Sequence, residues 1–404
     1  MNLFKEKRIL LGVTGSIAAY KAAELASKLA QQGALVDAVL TDGAQKFITP
    51  LTFQSLTGRK AYTEADLWGS DAHVLHVGLG HGADLLVIAP CTANTLAKLA
   101  YGLSDSLLTV TALASTCPLL LAPAMDAGMY DAAATQENVQ ILQERGATLI
   151  GPVQGRMASG LTGFGRMAEP VEIFGGIRLA LARSGKLARK RLVVTAGGTQ
   201  EPIDPVRYLT NRSSGKQGYA LAQAALDAGA QVTLVTHPTG LTPPIGADVV
   251  EVRTVQDMLD GVLTACKNAD ALIMAAAVAD FRVKHVAEHK LKKQDGIPQI
   301  ELEAAPDVLG TVAKRREELH QLKVVVGFAA ESRDLIANAV SKLASKKLDF
   351  IAANDISATD AGFAVETNRI TLLHADGHHE NLPLMGKDEV AEAIVERVAA
   401  LLEK

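Results

Sequence analysis

The sequence predicts an α/β protein made of two doubly wound domains, each with a mainly parallel sheet between layers of helices. The chain has 404 residues, which is more than one hydrophobic core normally serves. The segments RILLGVTGS (8–16) and RLVVTAGGT (191–199) open in the same way, with an apolar run that ends in glycine and a hydroxyl residue. After each opening, short apolar runs alternate with helical patterns, as in βαβ units.

Each apolar run predicts one buried strand, because a parallel strand covered on both faces reads as a continuous hydrophobic segment. In the first half the runs after RILLGV are ALVDAVLT, ADLLVIAP and PLLLAPA, and IAAYKAAELASKLAQQG is the first helix. In the second half they are AQVTLVT, DALIMAAA, LKVVVGFAA and LDFIAAND, and GYALAQAALDAGA is the first helix. The polar, basic segment LARSGKLARKR lies between the halves. We therefore expect domains at 1–188 and 189–404.

Composition excludes several classes of protein. Hydrophobic residues make up 48% and charged residues 21% of the chain, which is ordinary for a globular protein. The net charge of −4 gives no sign of a surface for polyanions, so nucleic acid is not an expected partner. No signal peptide opens the chain, and no apolar stretch reaches the roughly 18 residues of a membrane span. With three scattered cysteines, which favour neither a disulfide framework nor a zinc site, the sequence predicts a cytoplasmic protein without a membrane partner.

Polar residues follow the predicted strands of the first half, where ligands of doubly wound sheets bind. They are Gly15 with Ser16, Thr41, Asn94 in APCTANT and Asp126 in APAMDAGMY. Backbone N–H groups at Gly15–Ser16 favour a phosphate, although a tight turn without a ligand fits equally well. Together the four strand ends suit a nucleotide-like cofactor that lies across the sheet edge.

Two glycine-rich segments allow both a functional and a structural interpretation. RMASGLTGFGR (156–166) has three glycines, which are compatible with a phosphate cradle, a hinged lid or a plain surface connection. TAGGTQEPIDPVRYLTNRSSGKQG (195–218) ends at a helix start that can present N–H groups to a phosphate. It is not a Walker A loop, because Gln follows Gly215–Lys216. A structural turn would explain its glycines, but less well the presence of Arg207, Asn211 and Arg212.

These motifs resemble two enzyme families. GSIAAYK, LHVGLGHGADLLVIAPCTANTLAKLAYGLSD, APAMDAGMY and SGLTGFGRM are similar to the homo-oligomeric flavin-containing cysteine decarboxylases, whose fold is flavodoxin-like. The long motif at 195–218, with AAAVADF and KLKK, resembles phosphopantothenate–cysteine ligases, which have a Rossmann-like domain. In this order, over nearly the whole chain, they are similar to the bifunctional coenzyme A biosynthesis proteins.

The decarboxylase resemblance implies FMN at the strand ends of the first half, with Gly15, Ser16 and Thr41 at its phosphate and Asn94 near its ring. It also implies the reaction: flavin oxidises the thiol end of 4′-phosphopantothenoylcysteine to a thioaldehyde-like species, and its sulfur is the electron sink while CO₂ leaves. The reduced flavin then returns the electrons, and a proton completes 4′-phosphopantetheine. The segment 156–166 becomes a mobile flap over the substrate.

His76 in LHVGL matches the catalytic histidine of the decarboxylases, and histidine exchanges protons near neutral pH. Without the motif, the preferred interpretation of His76 would be a helix residue that only packs against its neighbours. The match to the motif favours the catalytic role instead. His73 and His81 lie off the motif and are expected at the surface. Their spacings of about 3 and 5 from His76 do not match the i, i+4 pair of helical zinc motifs.

Two residues depart from the decarboxylase pattern. Asp126 stands where the family commonly has an Asn that contacts the substrate carboxylate, and an ionised Asp would repel that group. Either Asp126 is protonated in the site or it binds the substrate indirectly. Ser159 stands where the best-known members have a Cys that supplies a proton, and a hydroxyl is a much weaker acid than a thiol.

The ligase resemblance implies CTP as co-substrate and Mg²⁺ for its phosphates. Phosphopantothenate would form an acyl-cytidylate with release of pyrophosphate, and cysteine would then displace CMP. Asn211 and Arg207 would hold the phosphopantothenoyl part, Asp280 would contact the nucleotide, and Lys290 would act in the second half-reaction. Positions that match the lining of the CTP site are Ala275, Ala276, Ala277, Pro306, Asp307, Val308, Leu309, Phe328, Lys342 and Lys346. For Lys342 and Lys346, a position on a solvated helix face is an equal alternative. The family also implies a dodecamer of identical chains, and the metal ligands stay unassigned.

Two other functions are alternatives to an enzyme with two activities. A flavin-binding regulatory subunit usually has an acidic tail, whereas this sequence ends in the helical pattern EVAEAIVERVAALLEK. A nicotinamide-dependent dehydrogenase needs a GxGxxG turn with a downstream acid, which neither strand–turn shows. Flavin absorbance separates the dehydrogenase from the other two, and CTP-dependent release of pyrophosphate separates the enzyme from the regulatory subunit.

Overall fold

The computed structural model of the chain describes residues 3–68, 74–156, 160, 162–331, 334–355 and 365–403. The chain divides into two compact units, Asn2–Leu181 and Ala182–Lys404. The division lies a few residues before the boundary that the sequence predicts between 188 and 189, and the extent of each functional domain stays a prediction.

The N-terminal unit alternates strands and helices along most of its length. Its strands are β1 (Arg8–Val13), β2 (Leu35–Leu40), β3 (Ala61–Tyr62), β4 (Leu85–Cys91), β5 (Leu119–Pro123), β6 (Thr148–Leu149), β7 (Val153–Arg156) and β8 (Thr162–Arg166). Its helices are α1 (Ala19–Gln31), α2 (Asp42–Gln45), α3 (Pro50–Thr57), α4 (Glu64–Leu67), α5 (Leu75–Gly82), α6 (Ala93–Tyr101), α7 (Leu107–Ala114), α8 (Ala127–Asp131), α9 (Ala133–Glu144) and α10 (Pro170–Ala182). The four predicted apolar runs form β1, β2, β4 and β5.

The sheet of this unit has the strand order β3-β2-β1-β4-β5-β6, and all neighbouring strands are parallel. Apart from the two-residue edge strand β3, the order is that of flavodoxin, 2-1-3-4-5. Both faces are covered: Ile9 and Leu11 belong to one apolar cluster with α1 and α10, whereas Leu10 belongs to a second with α6, α7 and α9. The doubly wound, flavodoxin-like class predicted for this half is confirmed.

The C-terminal unit repeats this plan with a larger sheet. Its strands are β9 (Arg191–Ala196), β10 (Gln200–Pro202), β11 (Tyr208–Thr210), β12 (Gln231–Thr236), β13 (Ala247–Glu251), β14 (Ala271–Met274), β15 (Phe281–Val283), β16 (Leu302–Ala304), β17 (Val324–Glu331), β18 (Phe350–Asp355), β19 (Thr367–Asn368), β20 (Ile370–His374), β21 (His379–Asn381) and β22 (Met385–Gly386). Its helices are α11 (Lys216–Asp227), α12 (Val255–Cys266), α13 (Val308–Lys314), α14 (Leu335–Ser345) and α15 (Lys387–Leu402), with a 3₁₀ turn at Lys293–Asp295.

Eight of these strands form one sheet in the order β13-β12-β9-β14-β17-β18-β20-β21. The first six are parallel and follow the Rossmann order 3-2-1-4-5-6. The Rossmann-like class predicted for this half is confirmed. Strands β20 and β21 add an antiparallel edge, which none of the apolar runs in the sequence predicts.

Segment 156–166 includes the last residue of β7 and the whole of β8, and these two strands pair as an antiparallel hairpin. Residues 157–159 and 161 lie outside the described residues, so the predicted mobile flap stays a prediction. The described part lies against the turn after β5, because the N–H of Met125 donates to the carbonyl oxygen of Gly165 at 3.0 Å. A Cβ atom on Gly165 would lie 2.4 Å from the Met125 oxygen, so this close approach requires glycine.

None of the helices in the described residues combines the length and the apolar character that crossing a membrane requires.

Helix α11 sits directly on the first strand of the C-terminal sheet, and Gly218 makes this possible. A Cβ atom at Gly218 would lie 2.5 Å from the Cβ of Ala196 and 2.7 Å from the carbonyl oxygen of Thr195. We expect Gly218→Ala to lower the free energy of unfolding by about 1–3 kcal/mol, because the helix must move off the strand. Urea unfolding of the full chain measures this change.

Gly261→Ala in α12 is the matched control, since its nearest neighbour would be the Val235 methyl carbon Cγ1 at 3.2 Å. We expect that change to stay within about 1 kcal/mol, because alanine also favours the helix. Equal effects of the two substitutions would contradict the packing argument.

Candidate functional sites

A cavity of about 780 Å³ lies at the carboxyl edge of the N-terminal sheet, beside the point where the strand order reverses between β1 and β4. Its lining includes all four residues predicted to hold the flavin, Gly15, Ser16, Thr41 and Asn94. The volume lies within the range of cofactor pockets, roughly 300–1,000 Å³. The structure therefore brings these predicted residues together.

The cavity floor is made by the turns that follow β1 and β2. A Cβ atom on Gly15 would lie 3.0 Å from the Cα and carbonyl carbon of Gly43, so the two turns touch through their backbones. Thr41 caps α2, because its hydroxyl oxygen accepts a hydrogen bond from the N–H of Ala44 at 3.3 Å. Thr92 caps α6 in the same way. Two helix N-termini therefore open at this cavity, as expected for an anion site.

Thr14 joins β1 to β4 across the reversal point and was not singled out from the sequence. Its buried hydroxyl donates to the carbonyl oxygen of Pro90 at 2.7 Å and accepts from the N–H of Thr92 at 3.1 Å. The signal in the sequence was a polar residue immediately after an apolar strand. We assign Thr14 a positioning role for the Thr92 turn.

Charged side chains also line this cavity, and the sequence analysis did not predict them. Glu64 accepts a hydrogen bond from the N–H of Leu107 at 2.7 Å, and its burial raises the pKa of the carboxyl group. Lys98 pairs with Asp105 at 2.8 Å. The cavity is therefore polar on the side formed by α4 and α6.

His76 and Asp126 do not line this cavity in the described part of the chain. His76 is half-buried in α5, which packs against α7, and α7 contributes Leu108 to the cavity wall. Asp126 caps the short helix α8, where its Oδ1 accepts a hydrogen bond from the N–H of Gly128 at 3.0 Å. Ser159 lies outside the described residues. The catalytic roles assigned to these three residues stay predictions.

A second cavity, of about 720 Å³, occupies the carboxyl edge of the C-terminal sheet. Most of the residues predicted for substrate and CTP line it, and they come from five separate segments of the chain. They are Asn211, Ala275, Ala276, Ala277, Asp280, Pro306, Asp307, Val308, Leu309, Phe328, Lys342 and Lys346.

Asn211 links two segments that border this cavity, its own and the turn after β14, through hydrogen bonds. Its Nδ2 donates to the carbonyl oxygens of Ala277 and Val278 at 3.2 and 3.0 Å. The N–H of Ala277 in turn donates to the carbonyl oxygen of Gly197 at 2.8 Å. These bonds hold the turn after β14 against the turn after β9, which leaves small alanine side chains facing the ligand space.

The lysines of α14 are held by partners at the cavity wall and do not lie on a freely solvated face. Lys342 donates to the carbonyl oxygen of Phe328 at 3.2 Å, and Lys346 pairs with the carboxylate of Asp307. Burial alone would raise the pKa of Asp307, but the hydrogen bond from Lys346 and a second from the N–H of Gly310 lower it overall. Asp307 therefore favours its ionised form, which also caps α13.

Arg207 and Lys290 do not line this cavity in the described part of the chain. Arg207 is held by Asp204, a side chain with 0% exposure, through a bond of 2.9 Å from Nε to Oδ2. Arg207 also donates to the carbonyl oxygen of Leu291 at 2.7 Å, and the N–H of Leu291 donates to Asp204 at 3.1 Å. The hydrogen bonds from Arg207 and from nearby N–H groups hold the pKa of Asp204 well below its usual range.

Asp204 is therefore a positioning residue that sequence reasoning missed. It places Arg207 beside the segment that carries Lys290. Its signal was the Asx-type turn in EPIDPVR, where Asp204 accepts from the N–H groups of Val206 and Arg207 at 2.8 Å.

Within the described residues, no group of three or more His, Cys, Asp or Glu side chains is arranged to hold a metal ion. His73 lies outside the described residues, and His81 is exposed on α5.

Comparisons with known proteins match both units. The family described as Flavoprotein matches residues 2–181, and the family described as DNA/pantothenate metabolism flavoprotein C-terminal domain matches residues 187–402. The Coenzyme A biosynthesis bifunctional protein CoaBC of Bacillus subtilis (strain 168) is 42% identical over 402 residues, which cover 99% of this chain and 98% of the relative.

Two solved structures are also similar to parts of the chain. The C-terminal domain of a Coenzyme A biosynthesis bifunctional protein CoaBC is 40% identical with a TM-score of 0.47, and covers 55% of this chain and 99% of its own. A mutant PPC decarboxylase complexed with pantothenoylaminoethenethiol is 39% identical with a TM-score of 0.40, and covers 43% of this chain and 98% of its own.

The role of Asp204 can be tested by Asp204→Asn, which removes the charge that holds Arg207. We expect kcat/KM of the reaction at the C-terminal cavity to fall roughly 10- to 100-fold, because Arg207 and the 290–291 segment lose their common anchor. The measurement is the steady-state rate at varied substrate. Asp260→Asn on the exposed face of α12 is the control and should leave the rate unchanged. A normal rate in Asp204→Asn would show that Arg207 needs no such anchor.

Proposed function

The chain belongs to the family of coenzyme A biosynthesis bifunctional proteins, and on that basis we propose that each of its units carries one of two consecutive reactions. The chain is a bifunctional enzyme of coenzyme A biosynthesis, with a flavoprotein decarboxylase and a phosphopantothenate–cysteine ligase activity. We assign the ligase to the C-terminal unit and the decarboxylase to the N-terminal unit. The observation that carries this division is one cavity at the carboxyl edge of each sheet, of about 720 and 780 Å³.

For the ligase we propose CTP as the co-substrate. The phosphopantothenate carboxylate attacks the α-phosphorus of CTP, pyrophosphate leaves, and the amine of cysteine then displaces CMP from the acyl-cytidylate. The small side chains of Ala275–Ala277 support this proposal, since they let a nucleotide lie close to the backbone after β14. Lys342 and Lys346 add basic side chains at the α14 side of the same cavity, which suits an anionic nucleotide.

Roles for three further residues follow from their positions. Asn211 is proposed to hold the phosphopantothenoyl part, because it joins the two turns that border the cavity. Asp280 lines the cavity and is proposed to contact the nucleotide. Lys290 is proposed to act when cysteine attacks, with Arg207 beside it through the shared contact at Leu291.

We propose Mg²⁺ as the ion that accompanies the nucleotide. Asp280 lines the cavity and offers carboxylate oxygens, the donor type that this ion prefers, whereas the carboxylate of Asp307 is engaged by Lys346 and Gly310. Mg²⁺ in such sites is usually bound by one or two carboxylates together with the phosphates of the substrate. The residues present therefore fit the ion.

For the decarboxylase we propose FMN as the flavin. The N-terminal cavity fits such a group, because it has a suitable volume, the N-terminus of α6 for a phosphate, and the polar side chains of Ser16, Thr41 and Asn94. When bound, the flavin supplies the two-electron redox chemistry that makes loss of CO₂ from the substrate possible. The Gly15–Ser16 turn would hold the phosphate, and Asn94 would orient the ring.

His76 is proposed to move a proton at the substrate. It lies on α5, next to the helix α7 that forms part of the cavity wall. Asp126 and Ser159 are proposed to border the substrate in the turn after β5 and in the β7–β8 connection. In both positions this chain departs from the pattern that the decarboxylases share, so its proton donor differs from a cysteine thiol.

We further propose that the protein is a cytoplasmic homo-oligomer, with a dodecamer as the expected assembly, and that it acts on small molecules without a nucleic-acid or membrane partner. The N-terminal unit supports an assembly because it exposes large apolar side chains near its cavity. Trp68 and Met129 line the cavity and are 88% and 51% exposed. Apolar groups at such positions are typical of surfaces that another chain covers.

The decarboxylase proposal is tested by His76→Asn with 4′-phosphopantothenoylcysteine as substrate. We expect CO₂ release to fall by at least roughly 100-fold, because proton transfer by a positioned side chain contributes about that factor. Flavin absorbance of the purified variant should stay at the wild-type level. His81→Asn on the exposed side of the same helix is the control and should retain full turnover. Wild-type turnover in His76→Asn would overturn the assignment.

The ligase proposal is tested by pyrophosphate release from CTP and Mg²⁺ with phosphopantothenate, with and without cysteine. The wild-type chain should release pyrophosphate only when CTP is present. Lys290→Gln should keep the first release without cysteine and slow the formation of phosphopantothenoylcysteine roughly 10- to 100-fold, since the lysine acts in the second half-reaction. Lys293→Gln in the neighbouring 3₁₀ turn is the control. Absence of release from the wild type would refute the ligase proposal, and slowing of both half-reactions would refute the role of Lys290.

A further inference from the structure

The ligase cavity contains a buried lysine that the reaction proposed above does not use. Lys387 is the first residue of α15, lines the cavity, and is only 4% exposed. A buried ammonium group is costly unless an opposite charge accompanies it. Burial and the neighbouring charge of Lys216 lower the pKa of Lys387. Both lysines line the same cavity, so the two positive charges lie together at its wall.

The two lysines are fixed by a network of short contacts between three elements. The N–H of Lys387 donates to the carbonyl oxygen of Glu366 at 3.0 Å, and Gln217 Nε2 donates to the carbonyl oxygen of Lys387 at 3.0 Å. Lys216, the first residue of α11, pairs with the Glu366 carboxylate, whose side chain is 79% exposed. The start of α11 and the start of α15 therefore hold the pair in place, and an exposed acid neutralises part of its charge.

This pair lies on the opposite face of the sheet from the lysines of α14. Helix α11 packs on Ala196 of β9 and against α15. Helix α14 belongs to the cluster on the other face, with Val193 of β9 and with α12 and α13. Because the cavity is lined from both faces, a ligand that fills it meets Lys342 and Lys346 on one side and Lys216 and Lys387 on the other.

A buried polar side chain, Asn354, also borders this cavity. Asn354, at the end of β18, lines the cavity, and its side chain is 7% exposed. Its Oδ1 has no hydrogen-bond partner among the described residues. Buried polar atoms are almost always paired in native proteins, so this orphaned atom marks a position that a ligand or its water fills.

We propose that Lys216 and Lys387 bind the β- and γ-phosphates of the nucleotide, the part that leaves as pyrophosphate. This inference rests on the proposed use of CTP by the C-terminal unit. A dense polyanion suits two neighbouring ammonium groups at the start of α11, where the helix dipole adds further positive potential. The pair thus takes the outer phosphates, while Asn211 borders the part of the cavity proposed for the acyl group.

The pair acts on the first half-reaction. The substrate carboxylate forms a bond to the α-phosphorus, the bond from that phosphorus to the bridging oxygen of the β-phosphate breaks, and the electron pair leaves on pyrophosphate. Lys216 and Lys387 stabilise the negative charge that grows on this leaving group. Lys216 exchanges Glu366 for phosphate when the nucleotide binds.

The test compares CTP and CMP binding in the full-length chain with Lys216→Met and Lys387→Met, which keep the side-chain length and remove the charge. We expect the dissociation constant of CTP to rise roughly 10-fold or more in each variant, while that of CMP stays within about 2-fold. Inhibition by pyrophosphate should weaken by a similar factor. Lys267→Met at the exposed end of α12 is the control and should leave all three values unchanged. Lys216 is partly exposed, so its variant tests the proposal even where Lys387→Met perturbs folding.

The other outcomes separate the possible failures. Equal weakening of CTP and CMP, or no weakening of either, would overturn the assignment of the outer phosphates. A raised KM for 4′-phosphopantothenate with unchanged CTP binding would overturn it as well, and would assign the pair to the phosphate of that substrate. A wild-type chain that binds no CTP would overturn the proposed nucleotide and this inference together, whereas normal CTP binding in both variants overturns the inference alone.

Discussion

In both units, the site depends on a threonine hydroxyl that joins two strands where the strand order reverses. Thr14 accepts a hydrogen bond from the N–H of Thr92 at 3.1 Å, and Thr195 accepts one from the N–H of Ala276 at 3.0 Å. Each threonine lies at the end of the first strand, and each N–H follows the strand beside it across the reversal. Chains must diverge there to opposite faces, which opens a crevice for ligands. Because a buried hydroxyl bridges the two strand ends, this crevice has a fixed floor.

Much of the fold was predictable because buried parallel strands carry a strong local signal. The runs RILLGV and RLVVTA became β1 and β9, and every other apolar run named in advance became a strand. The edge strands β3 and β6 have only two residues each, too few for a pattern. The antiparallel edge β20–β21 was also beyond reach, since HEN in β21 is a short polar segment whose pairing is set by tertiary contacts.

The candidate sites were predictable where their residues come directly after a strand, because ligands of this fold bind at the carboxyl ends of the strands. Gly15, Asn94, Asn211 and Asp280 each follow a predicted strand or its turn, and each lines a cavity. Lys387 gave no such signal, because a lysine at the start of an amphipathic helix reads as a solvated residue. Only the packing of α15 against α11 buries it at 4% exposure. A sequence pattern reports only on residues that are close along the chain, whereas Lys387 is buried by segments that are far apart in sequence.

Of the two residues that depart from the decarboxylase pattern, Asp126 lies among the described residues and Ser159 does not. Asp126 has a defined role in the local structure. Asp126 accepts the N–H of Gly128 at the start of α8, and an asparagine at this position would make the same bond through its carbonyl oxygen. The turn after β5 therefore keeps its shape with either residue, and the close contact between Gly165 and Met125 is retained. What changes is the chemistry of the side chain, since a carboxyl group in place of an amide removes two N–H donors from the turn. Two basic side chains, Arg156 at the end of β7 and Arg166 at the end of β8, belong to the hairpin that contacts this turn through Gly165.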